Sequence, residues 1–201
     1  MIHADARFSR SVEEAVARLE EQTGAEIVVV AAGRSGTYRD VSFLSASLLA
    51  LIAMLVLILI PMPVHEFMLV IEVSLTWLLA AWVFDGSWFL RLLVSKKRRA
   101  AQVLEAAHAE FHREGVHATP RRTGVLIYVS ALEGVVEVLP DLGIQGKVPP
   151  ARWSEAIEAF RDDDLDHFLA GLYTLGELLA EFVPERDEDI VDLPNAPRVR
   201  S

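Results

Sequence analysis

The chain has 201 residues and a formal net charge of −10; this length suits one ordinary domain, and the acidic balance argues against nucleic acid as a partner. It contains no cysteine, which excludes disulfides, thiolate metal sites and a cysteine nucleophile. The first residues lack a basic region followed by an apolar stretch, so no cleavable signal peptide is predicted.

A helix and a buried strand are the first predicted elements. Ser11 and Glu14 have the spacing of a capping box, with Ser11 as the N-cap of a helix that Gly24 ends. The apolar residues of this helix recur at helical spacing: Val12, Val16 and Leu19. The β-branched run Glu26–Ala32 is typical of a buried strand.

Two apolar segments follow, at residues 41–60 and 67–84. The first has no charged residue, and its length is enough to cross the ~30 Å hydrocarbon core of a bilayer. The second is interrupted only by Glu72, which lies toward one end and can lean to the nearer membrane interface. Any intramembrane carboxylate is also a candidate proton or ion site, and this alternative applies to Glu72. Together the segments predict a helical hairpin through the lipid bilayer.

The distribution of basic residues predicts the orientation of this hairpin. The short connection at residues 61–66 has no Lys or Arg, whereas both outer flanks are basic. The basic residues of the flanks are Arg34, Arg39, Arg91, Lys96, Lys97, Arg98 and Arg99. The positive-inside rule places the soluble part in the cytoplasm, which predicts an integral protein of the bacterial inner (plasma) membrane.

The second half of the chain alternates strand and helix patterns. Strands are predicted at Gly124–Ser130 and at residues 134–139, and the short turn between them requires an antiparallel pair. Helices are predicted at residues 96–114, 150–160 and 163–183. From residue 184 the chain is charged and contains proline, which predicts a flexible acidic tail.

This order of elements predicts an α/β fold, an α/β/α sandwich with a mixed sheet that is interrupted by the transmembrane helical hairpin. We expect residues 1–40 and 85–183 to form the two parts of one domain. Residues 41–84 are the hairpin inserted within it, and residues 184–201 are the tail.

Several blocks outside the apolar segments resemble the TPM domain family. They are Thr-Gly-Ala-Glu-Ile-Val-Val-Val at residues 23–30, Thr-Gly-Val-Leu-Ile-Tyr-Val-Ser at 123–130, Val-Glu-Val-Leu-Pro-Asp-Leu-Gly-Ile at 136–144, and Trp153. The chain is most similar to a bacterial membrane subgroup in which two spans interrupt the domain. Members are described as acid phosphatases, as calcium-binding domains, and as factors that assist assembly or repair of membrane complexes.

One departure from the family pattern bears on function. The second block commonly reads Asp-Arg-Gly, and here it reads Asp141-Leu142-Gly143. The missing arginine is a natural phosphate ligand, because a planar guanidinium pairs with phosphate oxygens bidentately. The departure weakens the phosphatase interpretation for this chain.

Asp40 and Asp141 are the candidate metal ligands. Asp141 follows a predicted strand, and Asp40 lies between the first strand and the membrane. If the sheet brings them together, the two carboxylates can hold Ca²⁺ or Mg²⁺, which prefer hard oxygen ligands. In the alternative, Asp40 caps the first span and Asp141 shapes a turn.

Four other patterns favour ordinary structural roles. The acidic run at residues 162–166 lacks EF-hand spacing and suits a helix start. His108 and His112 lie four residues apart but lack the metalloprotease glutamate. Residues 33–37 do not complete a phosphate loop, so no nucleotide is expected. Ser11, Ser130 and Ser154 have no nucleophile-elbow context.

Two functions are therefore predicted. The first is a membrane-anchored interaction or assembly and maintenance module for other membrane proteins, with a divalent cation as an optional ligand. The alternative is a metal-dependent phosphatase, for which Arg39, Arg121 or Arg122 would have to supply the phosphate-binding cation.

Overall fold

A computed structural model describes residues 6–60, 66–86, 89–119, 121–160, 164–184 and 194–200. The chain forms two compact units. The first, here called the α/β unit, combines Met1–Ser35 with Ala100–Ser201. The second, here called the apolar-helix unit, is Gly36–Arg99.

The strands and helices run in the following chain order. They are α1 (Ala6–Glu20), β1 (Glu26–Ala32), α2 (Arg39–Leu59), α3 (Glu66–Gly86), α4 (Phe89–Leu93), α5 (Lys96–Arg113), β2 (Gly124–Ser130), β3 (Val135–Pro140), α6 (Leu142–Gln145), α7 (Pro150–Glu158), α8 (Leu165–Phe182) and β4 (Arg198–Arg200). A 3₁₀ turn, Val116–Ala118, precedes β2.

The sheet has the strand order β3-β2-β1-β4 and is mixed. β1 and β2 are parallel, with Glu26 opposite Gly124 and Ala32 opposite Ser130. β3 is antiparallel to β2, as the short turn predicted, and Gly134 in that turn adopts a φ of 61° that favours glycine. β4 adds a parallel strand on the other side of β1.

Helices cover both faces of this sheet. Ile27, Val29 and their neighbours on β2 pack against α1, α7 and α8 on one face. Val28 and Val30 pack on the other face against residues of α5, namely Val103, Ala107 and Phe111. Because β1 and β2 are buried on both sides, their sequences are continuous apolar runs. The predicted α/β/α sandwich with a mixed sheet is confirmed.

The start of the first helix differs from the prediction. Helix α1 already includes Ala6, so Ser11 lies inside the helix and the predicted N-cap is wrong. The physical reason is Phe8, which is 1% exposed and packs its ring 5.6 Å from the ring of Phe168. Burial of this aromatic side chain extends the helix beyond the local capping signal.

The predicted tail also differs from the structure. Residues 185–193 lie outside the described residues. Arg198–Arg200 instead forms β4, so this part of the tail belongs to the sheet. The alternation Arg-Val-Arg is too short to signal a strand by periodicity, and its partners lie far upstream in the sequence.

The apolar-helix unit contains two helices, Arg39–Leu59 and Phe67–Asp85, that are long and apolar enough to cross a membrane. They pack through small side chains, with Ala46 and Ala80 buried at their interface. The indole N–H of Trp77 donates to Ser47 Oγ across a distance of 3.0 Å. The connection predicted at residues 61–66 lies outside the residues whose side chains the structure describes.

Candidate functional site

A cluster of polar side chains, all buried except the half-buried Ser35, lies where β1 and β2 end. Its members, here called the carboxyl-end cluster, are Ser35, Tyr128, Ser130 and Glu133. Glu133 is 1% exposed, and its carboxylate accepts hydrogen bonds from the backbone N–H of Ser35, at 3.2 Å, and from Ser130 Oγ. The cluster fixes the loop after β1 to the turn after β2 through residues almost a hundred positions apart in the sequence.

Hydroxyl groups continue this cluster away from Glu133. Ser35 Oγ lies 2.5 Å from Ser130 Oγ and 3.0 Å from the Tyr128 hydroxyl. Burial raises the pKa of the Tyr128 phenol, and the charges of Glu110 and Glu133 raise it further. The phenol is therefore protonated at neutral pH and available as a hydrogen-bond donor.

An arginine–glutamate network lies beside this cluster and consists of Glu110, Arg113, Glu114, Arg198 and Arg200. Arg198 Nε lies 2.8 Å from Glu114 Oε2, and Arg200 Nη2 contacts Glu114 and lies 3.4 Å from Glu110 Oε2. Arg113 also contacts Glu110. The network joins the end of α5 to β4.

A cavity of about 530 Å³ lies against both groups. Its polar lining comes from Arg34, Ser35, Glu110, Arg113, Tyr128 and Arg200. Arg200 Nε is buried and donates no hydrogen bond within the described part of the chain. The carboxyl ends of parallel strands are the usual place for ligands in α/β sheets.

The predicted site residue Asp141 lies at the opposite end of the sheet, next to the start of β2. It is 2% exposed and forms a bidentate pair with Arg122, with Nε–Oδ2 at 2.6 Å and Nη2–Oδ1 at 2.8 Å. Burial would raise the pKa of Asp141, but hydrogen bonds from Arg122 and from the Leu142 backbone N–H outweigh burial and lower it. Arg122 has a φ of 57°, an uncommon conformation for a residue other than glycine.

The second predicted ligand, Asp40, lies in the apolar-helix unit. Its two oxygens pair with Arg98 at 2.7 and 2.8 Å, and the Arg98 guanidinium lies 5.6 Å from the centre of the Tyr38 ring. Each predicted ligand is thus bound to an arginine of its own unit. A cation shared by Asp40 and Asp141 would have to displace both arginines, and this site stays a prediction.

The other sequence motifs have ordinary surroundings. The ring of His112 lies 5.0 Å from that of His117. Within the described ranges no three His, Cys, Asp or Glu residues are grouped to hold a metal. Asp164 precedes α8 as its N-cap residue without a capping hydrogen bond from its side chain, whereas residues 161–163 are not described. Ser154 Oγ donates to the Pro150 carbonyl one turn earlier.

The glutamates of both groups carry no functional motif in the sequence. Glu133 lies in the predicted turn between two strands, and Glu110 lies inside the predicted helix at residues 96–114. A signal did exist: Glu110 and Glu114 are like charges spaced i,i+4 at a helix end, which is unfavourable unless cations lie nearby. The alternate arginines 198 and 200 are the matching signal near the C-terminus.

The fold defines the protein as an α/β sandwich with two apolar helices inserted after β1. No protein-family model matches the chain. No curated protein matches it either. Among solved structures, it is similar to the NMR structure of BA42 protein from the psychrophilic bacterium Bizionia argentinensis, with a TM-score of 0.59 and 18% identity over 97% of this chain and 94% of that chain. At this identity the likeness shows a shared fold.

Proposed function

We propose that the chain is an integral protein of the bacterial inner (plasma) membrane, anchored by α2 and α3. Its α/β unit faces the cytoplasm and serves as an interaction or assembly module for other membrane proteins. The observation that carries the proposal is the exposure of large apolar side chains on both helices. Leu44, Leu59 and Trp82 are exposed at 74%, 76% and 79%.

Water is an unfavourable solvent for such a surface. Exposed apolar patches on soluble monomers rarely exceed a few hundred Å². Both helices also satisfy their own backbone hydrogen bonds along their length, as a segment in hydrocarbon must. A lipid bilayer is therefore the environment that suits α2 and α3.

Charge supports the cytoplasmic orientation. The segment after α3 carries Arg91 and the run Lys96-Lys97-Arg98-Arg99, and Arg39 begins α2. Lys and Arg near membrane-spanning segments are enriched on the cytoplasmic side. The same basic flank suits contact with anionic lipid headgroups.

The interaction role is supported by the resemblance to the TPM domain family and by the departure at Leu142. Asp141 pairs with Arg122 and accepts a hydrogen bond from the Leu142 N–H, so its contacts are those of a structural residue. On this basis the α/β unit binds membrane proteins and helps to assemble or maintain them.

The test combines extraction and crosslinking in intact cells. A photo-crosslinking amino acid replaces Leu142 or Tyr173, which are exposed at 62% and 44% on the α/β unit. We expect the chain to stay in the membrane pellet at alkaline carbonate and to form light-dependent adducts with integral membrane proteins. Release by carbonate, or adducts with soluble proteins alone, would contradict the proposal.

A metal-dependent phosphatase is the second candidate, and one contact favours it. The guanidinium of Arg122 lies directly on Asp141. It supplies the positive charge that the family's arginine would carry at the position of Leu142. The test is hydrolysis of p-nitrophenyl phosphate with Ca²⁺ or Mg²⁺ by the detergent-solubilised protein. Metal-dependent turnover that Asp141→Asn abolishes would favour this candidate over the interaction module.

A further inference from the structure

The edge of β1 is covered by the chain's own C-terminal segment. β4 pairs with β1 only from Val30 to Ala32, in parallel register with Arg198 to Arg200. The backbone N–H of Gly33 extends this pairing by donating to the Arg200 carbonyl at 3.0 Å. Strand addition of this kind supplies main-chain hydrogen bonds that any extended segment can make.

Side chains give the edge its selectivity. Arg198 and Arg200 are two residues apart, so both point to the same face of the strand, toward Glu114 and Glu110. The side chains of these glutamates are only 13% and 8% exposed. The spacing of the carboxylates therefore matches an Arg-x-Arg segment.

The two glutamates draw on cations from outside α5 to different degrees. Glu110 lies in the last turn of α5 and Glu114 directly follows the helix, where the helix dipole disfavours negative charge. Within α5, Arg113 contacts Glu110. The described contacts of Glu114 with cations come from β4, through Arg198 and Arg200. Removing the cation from a buried carboxylate strongly destabilises a folded protein, because the remaining charge is buried without a partner. A strand that carries arginines is therefore the preferred occupant of this edge.

We propose that the β1 edge, with Glu110 and Glu114, is a docking site for an extended segment of another membrane protein that carries two arginines separated by one residue. In the unbound chain, Arg198–Arg200 fills this site as an internal competitor. The partner assignment rests on the proposed function, because the cytoplasmic flanks of membrane proteins are rich in Lys and Arg. Charge complementarity and strand register are the features that would recognise the segment.

The experiment measures peptide binding to the full-length chain in nanodiscs. The probe is a fluorescent peptide with the sequence Pro-Asn-Ala-Pro-Arg-Val-Arg of residues 194–200. The receptor is Arg198→Ser/Arg200→Ser, which weakens the internal competitor. We expect this variant to bind the peptide more tightly than wild type by roughly tenfold or more. A tenfold change in affinity is about the contribution of one charge-assisted hydrogen bond, and the internal competitor loses at least one such bond.

Two further changes test the chemistry of recognition. Adding Glu110→Gln/Glu114→Gln to the receptor should weaken binding by roughly tenfold or more. A peptide with serine in place of both arginines should not bind. The matched control is Arg152→Ser/Glu181→Gln, which removes a half-exposed ion pair of 2.9 Å elsewhere in the α/β unit and should bind the peptide as wild type does. A chain that ends at Leu193 provides a second receptor and must agree with the first.

Three results would overturn the proposal. They are absence of peptide binding to both receptors, equal binding by wild type and receptor, and binding that ignores the two glutamates. A wild-type dimer that Arg198→Ser/Arg200→Ser abolishes would assign the edge to a second copy instead. Peptide binding in nanodiscs does not depend on the orientation of the chain in cells. Loss of peptide binding with carbonate-resistant insertion would refute the docking site alone. Release by carbonate with peptide binding retained would refute the membrane proposal and leave the peptide site standing.

Discussion

Gly143 is the position where a single methyl group should disturb the Asp141 end of the sheet most directly. A Cβ atom on Gly143 would lie 2.2 Å from the Arg121 carbonyl oxygen and 2.6 Å from that of Arg122. The Gly143 N–H also donates to the Arg122 carbonyl at 2.8 Å. Gly143→Ala therefore requires the backbone around Arg122 to move, and with it the guanidinium that holds Asp141.

The size of the effect follows from these contacts. Overpacking against a backbone costs about 1–3 kcal/mol, and a weakened hydrogen bond adds about 1 kcal/mol. We predict that Gly143→Ala lowers the free energy of unfolding by about 3 kcal/mol. For a chain of this size that corresponds to a fall in Tm of roughly 6–12 °C.

The assay is thermal unfolding of the detergent-solubilised protein followed by far-ultraviolet circular dichroism. Gly146→Ala is the matched control, because a Cβ there meets only the Leu142 carbonyl oxygen at an ordinary 3.5 Å, and its φ of −76° suits alanine. Its Tm should equal that of wild type or exceed it slightly. Equal Tm values for the two variants would refute the steric reasoning.

Three further predictions concern buried or half-buried polar groups in the α/β unit. The lowered pKa of Asp141 means that its ion pair stabilises the fold above the unfolded pKa of about 3.9. Asp141→Asn should therefore cost about 2 kcal/mol at pH 7, a difference that disappears in urea titrations as the pH falls through the lowered value. Burial raises the pKa of Glu137, so ionisation of this carboxyl group destabilises the fold as the pH rises. Glu137→Gln should therefore be more stable than wild type at pH 7 and equally stable well below pH ~4. Ser130→Ala removes a donor from the carboxylate of Glu133 and should cost about 1.5–3 kcal/mol, whereas the exposed Ser154→Ala should cost little; equal urea midpoints would contradict the role of the cluster.

The strands could be predicted because their signal is local. β1 and β2 are mainly apolar runs rich in β-branched residues and buried on both faces. Their observed bounds, Glu26–Ala32 and Gly124–Ser130, equal the predicted ones. The two apolar helices were equally readable, since their length and composition alone define them.

The carboxyl-end cluster and β4 could not be predicted because they depend on contacts distant in sequence. Ser35 reaches Glu133 across 98 positions, and Arg198 reaches Glu114 across 84. Glu133 reads as an ordinary turn residue until the parallel pairing of β1 and β2 buries it. The start of α1 was missed for the same reason, because Phe8 packs on Phe168 of the distant helix α8.

The measurement that tests the central claim most directly is cysteine accessibility in spheroplasts, since the natural chain has no cysteine. Single cysteines replace Val64, between the two apolar helices, and Ser154, which is exposed on α7. A membrane-impermeant maleimide should label Val64→Cys in intact spheroplasts and Ser154→Cys only after permeabilisation. Labelling of Ser154→Cys from outside intact spheroplasts would contradict a cytoplasmic α/β unit anchored by a membrane hairpin.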